Sequence, residues 1–412
     1  MSSGRDGQLD PAINDQVEEL FLGSDFGDED LQAAMRQELT ERLAMGRPLS
    51  VYAGYDPTKP DLHIGHAITL RKLRRFQQYG HRVTVIVGTF TAVIGDTSDK
   101  KDQRAAVARE TVHAAGKTYA EQVARILDPE LTSIQFNHTW LDKLGAADIV
   151  ELASQFTVQQ FQIRANYRER LATGKPVGLH EFLYALFQGY DAVHLHTDVQ
   201  IGATEQLFNI MAGRRLQRFF GQQPCIAITF PVLVGTDGVE RMSKSKGNYI
   251  GIAEEPAEQY GKVMSVSDET MMKWIPLVAD WDREEVLAVV GAVSSGSLHA
   301  MDLKKRLARR VVELYHGPEA ADAAADDFER IHQRRQVPAE MPTVELLPSA
   351  SVIDALLRSG AASSRSAARR LVEGRGVTLD ERVVSYGEET IVDDSVLRVG
   401  KRRFYRLSTR DD

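Results

Sequence analysis

Two short segments hold the cations and small residues that binding a polyphosphate would need. The first runs Tyr52-Ala53-Gly54-Tyr55-Asp56-Pro57-Thr58 and reaches His63-Ile64-Gly65-His66. His63 and His66 fall one helical turn apart, so both imidazoles can donate to phosphate oxygens at a helix N-terminus, where free N–H groups already favour anions. Gly65 would let a nucleoside approach the backbone closely. His-x-x-His also fits half of a metal site, but no third ligand is suitably spaced and the single Cys225 provides no thiolate cluster. The second segment, Arg241-Met242-Ser243-Lys244-Ser245-Lys246-Gly247, follows the turn Thr236-Asp237-Gly238. Its three cations in a loop of small residues can close over a polyphosphate and balance the charge of its departure. A solvated basic loop would have the same composition.

A third constellation is a polar stripe. Tyr184, Gln188 and Asp191 stand at i, i+4 and i+7, and at about 100° per residue they fall within roughly 60° of one helix face. Phe182, Leu183, Leu186 and Phe187 flank them. A buried stripe of this kind needs hydrogen-bond partners, whereas an exposed one is the wet side of an amphipathic helix.

The elements that must position these residues read as α/β. A short strand at 51–55, a helix from about 64 to 79 and the β-branched strand 83–87 suggest a parallel sheet with crossover helices. The turn after the first strand then lies at the carboxyl edge of the sheet, where nucleotides bind. Helical segments are expected over about 104–127 and 147–215, broken near Gly174-Lys175-Pro176-Val177-Gly178, with the sheet resuming at 225–230. From about 254 the chain reads helical, with Pro256, Asp268, Asp282 and Asp302 opening successive helices that end near Gly317. Pro338, Pro342 and Pro348 then mark an extended linker.

The formal net charge is −8 over 412 residues, which argues against a protein that coats nucleic acid over its whole surface. Residues 351–410 nevertheless carry 12 Lys and Arg against 8 Asp and Glu, so a basic partner-facing surface is expected at the C-terminus. One cysteine suits a reducing compartment, and the polar start Ser2-Ser3-Gly4-Arg5 has no apolar signal core. A soluble, cytoplasmic protein without a membrane span is the expectation.

Taken together, the H-I-G-H and R-M-S-K-S segments resemble the two signatures of class I aminoacyl-tRNA synthetases. Arg241 stands where that family's second signature begins with lysine, which keeps the charge but not the compact shape. Tyr184-x-x-x-Gln188-x-x-Asp191 looks like the pattern of tyrosyl-tRNA synthetases. Thr91 and Asp96, Asn137, Gln200 and Gln206 match around it, while Ala203-Thr204-Glu205 replaces the commoner Gly-Ser-Asp before Gln206 and Ala53 replaces a frequent cysteine. Ala361 to Val372, Gly376 to Glu381 and Val399-Gly400-Lys401-Arg402-Arg403-Phe404 resemble an S4 RNA-binding module.

The resemblance implies an α/β, Rossmann-type parallel-sheet catalytic domain with a helical insertion (31–250, after a lead-in over 1–30). An α-helical anticodon-region domain (251–336), a linker (337–350) and a small α+β S4 domain (351–412) would follow. It implies two steps: L-tyrosine and ATP, bound with Mg2+, give tyrosyl-adenylate and pyrophosphate, and tRNA(Tyr) then takes the tyrosine. His63, His66, Lys244, Arg241, Lys100 and Arg104 would stabilise the phosphate charge. Asp191 and Tyr52 would hold the substrate phenol, with Tyr184 and Gln188 near its ammonium and Thr91, Asp96, Asn137 and Gln206 completing the tyrosine site. Gly54, Asp56, Thr58, Gly65, Gln200, Glu205, Met242 and Ser243 would join the histidines and Lys244 around ATP. Arg365, Arg369, Arg370, Lys401, Arg402 and Arg403 would meet RNA phosphates. No resident metal is expected, and a homodimer is, with the insertion around Gln155 to Asn166 near its interface. Tryptophanyl-tRNA synthetase, or a noncatalytic RNA-binding relative, is the alternative.

Overall fold

The structure is a computed structural model that describes residues 11–57, 62–95, 112, 122–332, 341–380, 382–400 and 403–409. Chain contacts divide it into two compact units, residues 1–321 and 322–412.

The first unit is built on five parallel strands, β1 (Ser50–Tyr55), β2 (Arg82–Val87), β3 (Thr132–Phe136), β4 (Val199–Ala203) and β5 (Ile226–Phe230), in the order β3-β2-β1-β4-β5. The chain winds outward from β1 to β3 and then returns to the other side of β1. The crevice between the carboxyl ends of β1 and β4 is therefore the switch point where such sheets bind ligands. Every residue of β5 is buried, as expected of a strand covered by helices on both faces.

The expected strands at the start of the sheet and the helix Ile64–Gln78 are present. Two strands are corrections. β3 falls where no strand is expected, and β4 interrupts the stretch 147–215, which reads as helical apart from the break near Gly174 to Gly178, so the sheet resumes at Val199 rather than Cys225. Val199-Gln200-Ile201-Gly202-Ala203 is five residues long and lacks alternation because it is buried on both faces, which leaves no periodic signal. Two caps also differ. Ser267, not Asp268, accepts from Thr270 N–H at 3.1 Å, and His299, not Asp302, caps the helix Ala300–His316. Asp268 and Asp302 instead lie in the first turns, where their charge complements the helix dipole. Asp282 caps Arg283–Ser294 as read.

Three devices hold the switch point in shape. Asp198, just before β4, accepts from Arg42 at 2.7 Å, from Arg47 at 2.6 Å and from the N–H of Ser50, the first residue of β1, at 2.9 Å. Burial alone would raise the Asp198 carboxyl, but the Arg47 hydrogen bond, the Ser50 N–H and Arg42 outweigh it and hold it below the usual carboxylate range. The helix Leu179–Leu195 is fixed at its start by the fully buried pair Arg170–Glu181 at 2.6 Å, with Arg170 also donating to Pro176 O and Gly178 N–H to Glu181 at 2.9 Å. That helix then crosses Leu207–Phe219 where glycine faces glycine. A Cβ on Gly189 would lie 3.0 Å from the Gly213 nitrogen, so any side chain would force the helices apart.

The second unit pairs helices Val352–Arg358 and Arg365–Glu373 with five strands, β6 (Thr343–Leu346), β7 (Val377–Leu379), β8 (Arg382–Val383), β9 (Val396–Val399) and β10 (Arg403–Thr409), in the order β6-β10-β9-β7-β8. Val352, Ile353, Leu356, Val377, Leu397 and Leu407 form its core. β6 falls in the proline-marked stretch expected to be extended and runs parallel to β10.

Asp198→Ala would leave the Arg42 guanidinium, 3% exposed, without its carboxylate. It should destabilise the first unit by about 3 kcal/mol in urea unfolding followed by helical circular dichroism. A loss under about 1 kcal/mol would show that the clamp does not hold β1 to β4.

Candidate active site

A cavity of about 240 Å³ opens at the switch point, lined from β1 by Gly54 and Asp56 and from the following helix by Gly65 and His66. Thr91 and Asn137 line it beyond β2 and β3, Tyr184, Gln188 and Asp191 from the helix Leu179–Leu195, and Gln206 beyond β4. Thus ten of the residues singled out in the sequence meet in one place.

One hydrogen-bonded network joins six of the surrounding side chains. Asp191 is buried and accepts from Trp140 Nε1 at 2.8 Å and from Asn137 Nδ2 at 3.3 Å. Asn137 also donates to Thr91 Oγ1 at 3.1 Å and accepts the N–H of Phe90 at 2.8 Å, which uses both its amide hydrogens and fixes its orientation. Thr91 in turn donates to Asp56 Oδ1 at 2.7 Å, and Tyr184 donates to Asp56 Oδ2 at 3.1 Å. Gly88 makes this possible, since a Cβ there would collide with Asp56 Oδ1 and Thr91 Oγ1. Burial raises the Asp191 carboxyl to about 8, against the opposing pull of Trp140 and Asn137, and the Asp56 charge adds to the rise. The indole of Trp140 stacks on His194 with ring centroids 4.4 Å apart.

Tyr52 and Gln200 are register partners on β1 and β4 and do not line the cavity. Both are buried, and the Tyr52 hydroxyl and Gln200 Oε1 lack a hydrogen-bond partner among the described residues. Burial first, then the charge of Asp191, pushes the Tyr52 phenol well above its ordinary value. A buried phenol of this kind is costly unless something pairs with it.

On the histidine side, His63 is the N-cap of Ile64–Gln78. Its Nδ1 accepts from Gly65 N–H at 3.2 Å, and its own N–H donates to His66 Nδ1 at 3.3 Å. Two Nδ1 acceptors require that both neutral rings carry their proton on Nε2. Burial first, then the Lys244 charge, lowers His66 to about 4, which keeps it neutral at pH 7. A Cβ on Gly65 would lie 3.0 Å from the His63 ring. On Gly54 it would meet only Ile86, at 3.9 Å, so the glycine there leaves the approach to the cavity open rather than relieving a clash.

The loop with Met242, Ser243 and Lys244 is organised by Asn248, which accepts from Ser243 N–H at 2.8 Å and donates to Asp237 at 2.7 Å and to Arg241 O at 3.1 Å. Met242 is buried, and Lys244 Nζ lies 5.8 Å from the Tyr249 ring centroid. Arg241 Nη1 lies 3.7 Å from Glu205 Oε2, so two residues that depart from the family pattern face each other. None of these four loop residues lines the cavity itself. Thr58, Asp96, Lys100, Lys101 and Arg104 lie outside the described residues, as does most of the helix expected over 104–127.

In the second unit, Arg365 and Arg369 are exposed and meet Asp354 at 3.0 Å and Glu388 at 3.4 Å, Arg370 is exposed, and Arg403 donates to Ala361 O at 3.2 Å. Lys401 and Arg402 lie outside the described residues. Trp140, Gly88, Asn209 and Asn248 were not singled out as site residues. Trp140, three positions after Asn137 on a four-residue helix, was the one with a local signal.

The family profile described as tRNA synthetases class I (W and Y) matches residues 44–333, and the S4 domain profile matches 353–389. The tyrosine–tRNA ligase of Moorella thermoacetica is 45% identical over 385 residues, covering 93% of this chain and 92% of its own. That of Thermotoga maritima is 42% identical over 374 residues, covering 90% and 93%. Among solved structures, the tyrosyl-tRNA synthetase of Archaeoglobus fulgidus complexed with L-tyrosine superposes with a TM-score of 0.60 at 20% identity, over 76% of this chain and 99% of that one, a likeness of fold. With a class I profile across most of the first unit, an S4 profile in the second and close relatives matched nearly end to end, the chain belongs to the tyrosine–tRNA ligase family of class I aminoacyl-tRNA synthetases.

Proposed function

We infer that the chain is a tyrosine–tRNA ligase, which joins L-tyrosine to ATP as tyrosyl-adenylate with release of pyrophosphate and then transfers tyrosine to the 3′ end of tRNA(Tyr). The observation that carries the choice of amino acid is the buried carboxyl of Asp191, held by Trp140 and Asn137 at the wall of the cavity. Asp191 lines the cavity and keeps lone pairs beyond the two that Trp140 and Asn137 use, so it can accept from a substrate hydroxyl. The substrate phenol supplies that hydroxyl, with Tyr52 as its second partner, while Tyr184, Gln188 and Asp56 surround the ammonium end. Phenylalanine would leave the Tyr52 hydroxyl and the further lone pairs of Asp191 without that partner, the kind of loss that lets a site reject an analogue lacking a hydroxyl. Tyrosyl-tRNA synthetases are a known case of such rejection of phenylalanine.

Adenylation needs alignment and charge stabilisation rather than a covalent enzyme intermediate. The Nε2–H groups of His63 and His66 donate to the phosphates, and Lys244 and Arg241 swing with their loop onto the leaving pyrophosphate, joined by Lys100 and Arg104. Mg2+ enters with ATP as part of the substrate. Gly54, Gly65 and Gln206 leave room for the adenylate. In the second unit Arg365, Arg369, Arg370, Lys401, Arg402 and Arg403 form the RNA-facing surface, where phosphates replace Asp354 and Glu388 as their partners. The helical segment 251–336 serves the anticodon region. A homodimer is supported by the exposed Val158 and Ile163 in the insertion, and a cytoplasmic location suits an enzyme of translation.

Pyrophosphate exchange should depend on tyrosine and on no other standard amino acid. Lys244→Ala should lower the adenylation rate by about 100-fold while tyrosine affinity stays within about twofold, since the contact forms as charge develops. A normal burst of tyrosyl-adenylate from this variant would remove Lys244 from the step.

A second prediction concerns pH. A carboxyl raised to about 8 in the fold, against about 4 unfolded, holds its proton more tightly when folded. Asp191 therefore costs the unliganded protein stability as pH rises from about 4 to about 8. The thermal midpoint of wild type should fall relative to Asp191→Asn over that window, and saturating tyrosine should lessen the fall. Parallel pH profiles for the two proteins would show that Asp191 titrates normally.

A further inference from the structure

The close crossing at Gly189 and Gly213 sets Gln188, in the cavity wall, against Asn209 on the neighbouring helix. Asn209 is fully buried, donates from Nδ2 to Gln188 Oε1 at 2.9 Å and accepts at Oδ1 from Arg164 Nη1 at 3.2 Å. An isolated amide can face either way, but a guanidinium has donors only. Arg164 therefore obliges Asn209 to turn its oxygen outward and its NH2 toward Gln188, and this obliges Gln188 to turn its carbonyl to Asn209. Arg164 is itself anchored, as the N-cap of the helix Ala165–Ala172 and with its guanidinium 4.8 Å from the Tyr167 ring centroid and 5.1 Å from that of Phe208.

We propose that Arg164 and Asn209 are positioning residues that lock the Gln188 amide with its carbonyl oxygen available to the substrate ammonium, and so favour an amino acid over the same molecule without its amine. A carbonyl oxygen has two lone pairs, one taken by Asn209 and one left for a second donor. A flipped Gln188 would present N–H to a group that can only donate. Neither residue touches the substrate; both act through Gln188. The proposal rests on the tyrosine-activating function and on Gln188 lying beside the ammonium.

The test is Asn209→Asp. A carboxylate there keeps Arg164 as an ion pair but can only accept, so Gln188 must turn its NH2 toward position 209. The KM for tyrosine in pyrophosphate exchange should rise about tenfold, as expected for loss of a hydrogen bond to a charged group, while the KM for ATP stays within about twofold. Inhibition by 3-(4-hydroxyphenyl)propanoate, which is tyrosine without its amine, should stay within about twofold of wild type. Arg164→Met, which removes the guanidinium donor from Asn209 Oδ1, should shift tyrosine in the same direction by less and also spare the inhibitor. If tyrosine and the inhibitor weaken together in the variant that folds, or if neither changes, the positioning role is wrong. A wild-type protein without tyrosine-dependent exchange would instead overturn the function on which the proposal rests.

Discussion

A carboxylate sealed from water is expensive, and Asp191 is tolerated because Trp140 and Asn137 both point donors at it. The same Asn137 amide ties it through Thr91 to Asp56 and, beyond Asp56, to Tyr184. Two acidic side chains are thus joined by one chain of neutral donors drawn from the ends of β1, β2 and β3 and from the helix Leu179–Leu195. The network works only if all four segments arrive in register, so much of the first unit serves that arrival. The network remains incomplete: the Asp191 carboxyl is pushed toward its protonated form, and the Tyr52 hydroxyl lacks a partner among the described residues.

The supports are spread along the chain and differ in kind. Asp198 fastens the first residue of β1 to the start of β4, so the two strands beside the cavity share one anchor. Arg170 and Glu181 fix the entry of the helix that carries Tyr184, Gln188 and Asp191, and Gly189 against Gly213 fixes its depth. The histidines and the Lys244 loop follow a looser plan. His63 and His66 are held by each other and by the helix start, whereas the Lys244 loop hangs on Asn248 and on an exposed, 3.7 Å pairing of Arg241 with Glu205. Exposed pairs of that length contribute little to stability.

Much of this was legible in the sequence because the informative residues were local. H-I-G-H sits at a strand-to-helix turn, and Tyr184, Gln188 and Asp191 share one helix face, so spacing alone brought them together. What could not be read was pairing across the fold. Asn209 looks like any helical asparagine until the Gly189–Gly213 crossing presses it on Gln188. The Arg241 and Glu205 departures look independent until the loop brings them face to face. β4 was hidden because a short strand buried on both faces shows neither the alternation of a half-buried strand nor the period of a helix. Gly88 gave no warning of its role because the clash it avoids is with two side chains brought there by the fold.

We propose that Asp191, a buried acceptor with lone pairs beyond those used by Trp140 and Asn137, selects the hydroxyl of tyrosine. The direct measurement is the ratio of kcat/KM in pyrophosphate exchange for tyrosine over phenylalanine, in wild type and in Asp191→Ala. The variant should lose tyrosine activation and the ratio should narrow by at least about tenfold, because the acceptor for the substrate hydroxyl has gone. A ratio unchanged from wild type would contradict it and place selection elsewhere in the cavity.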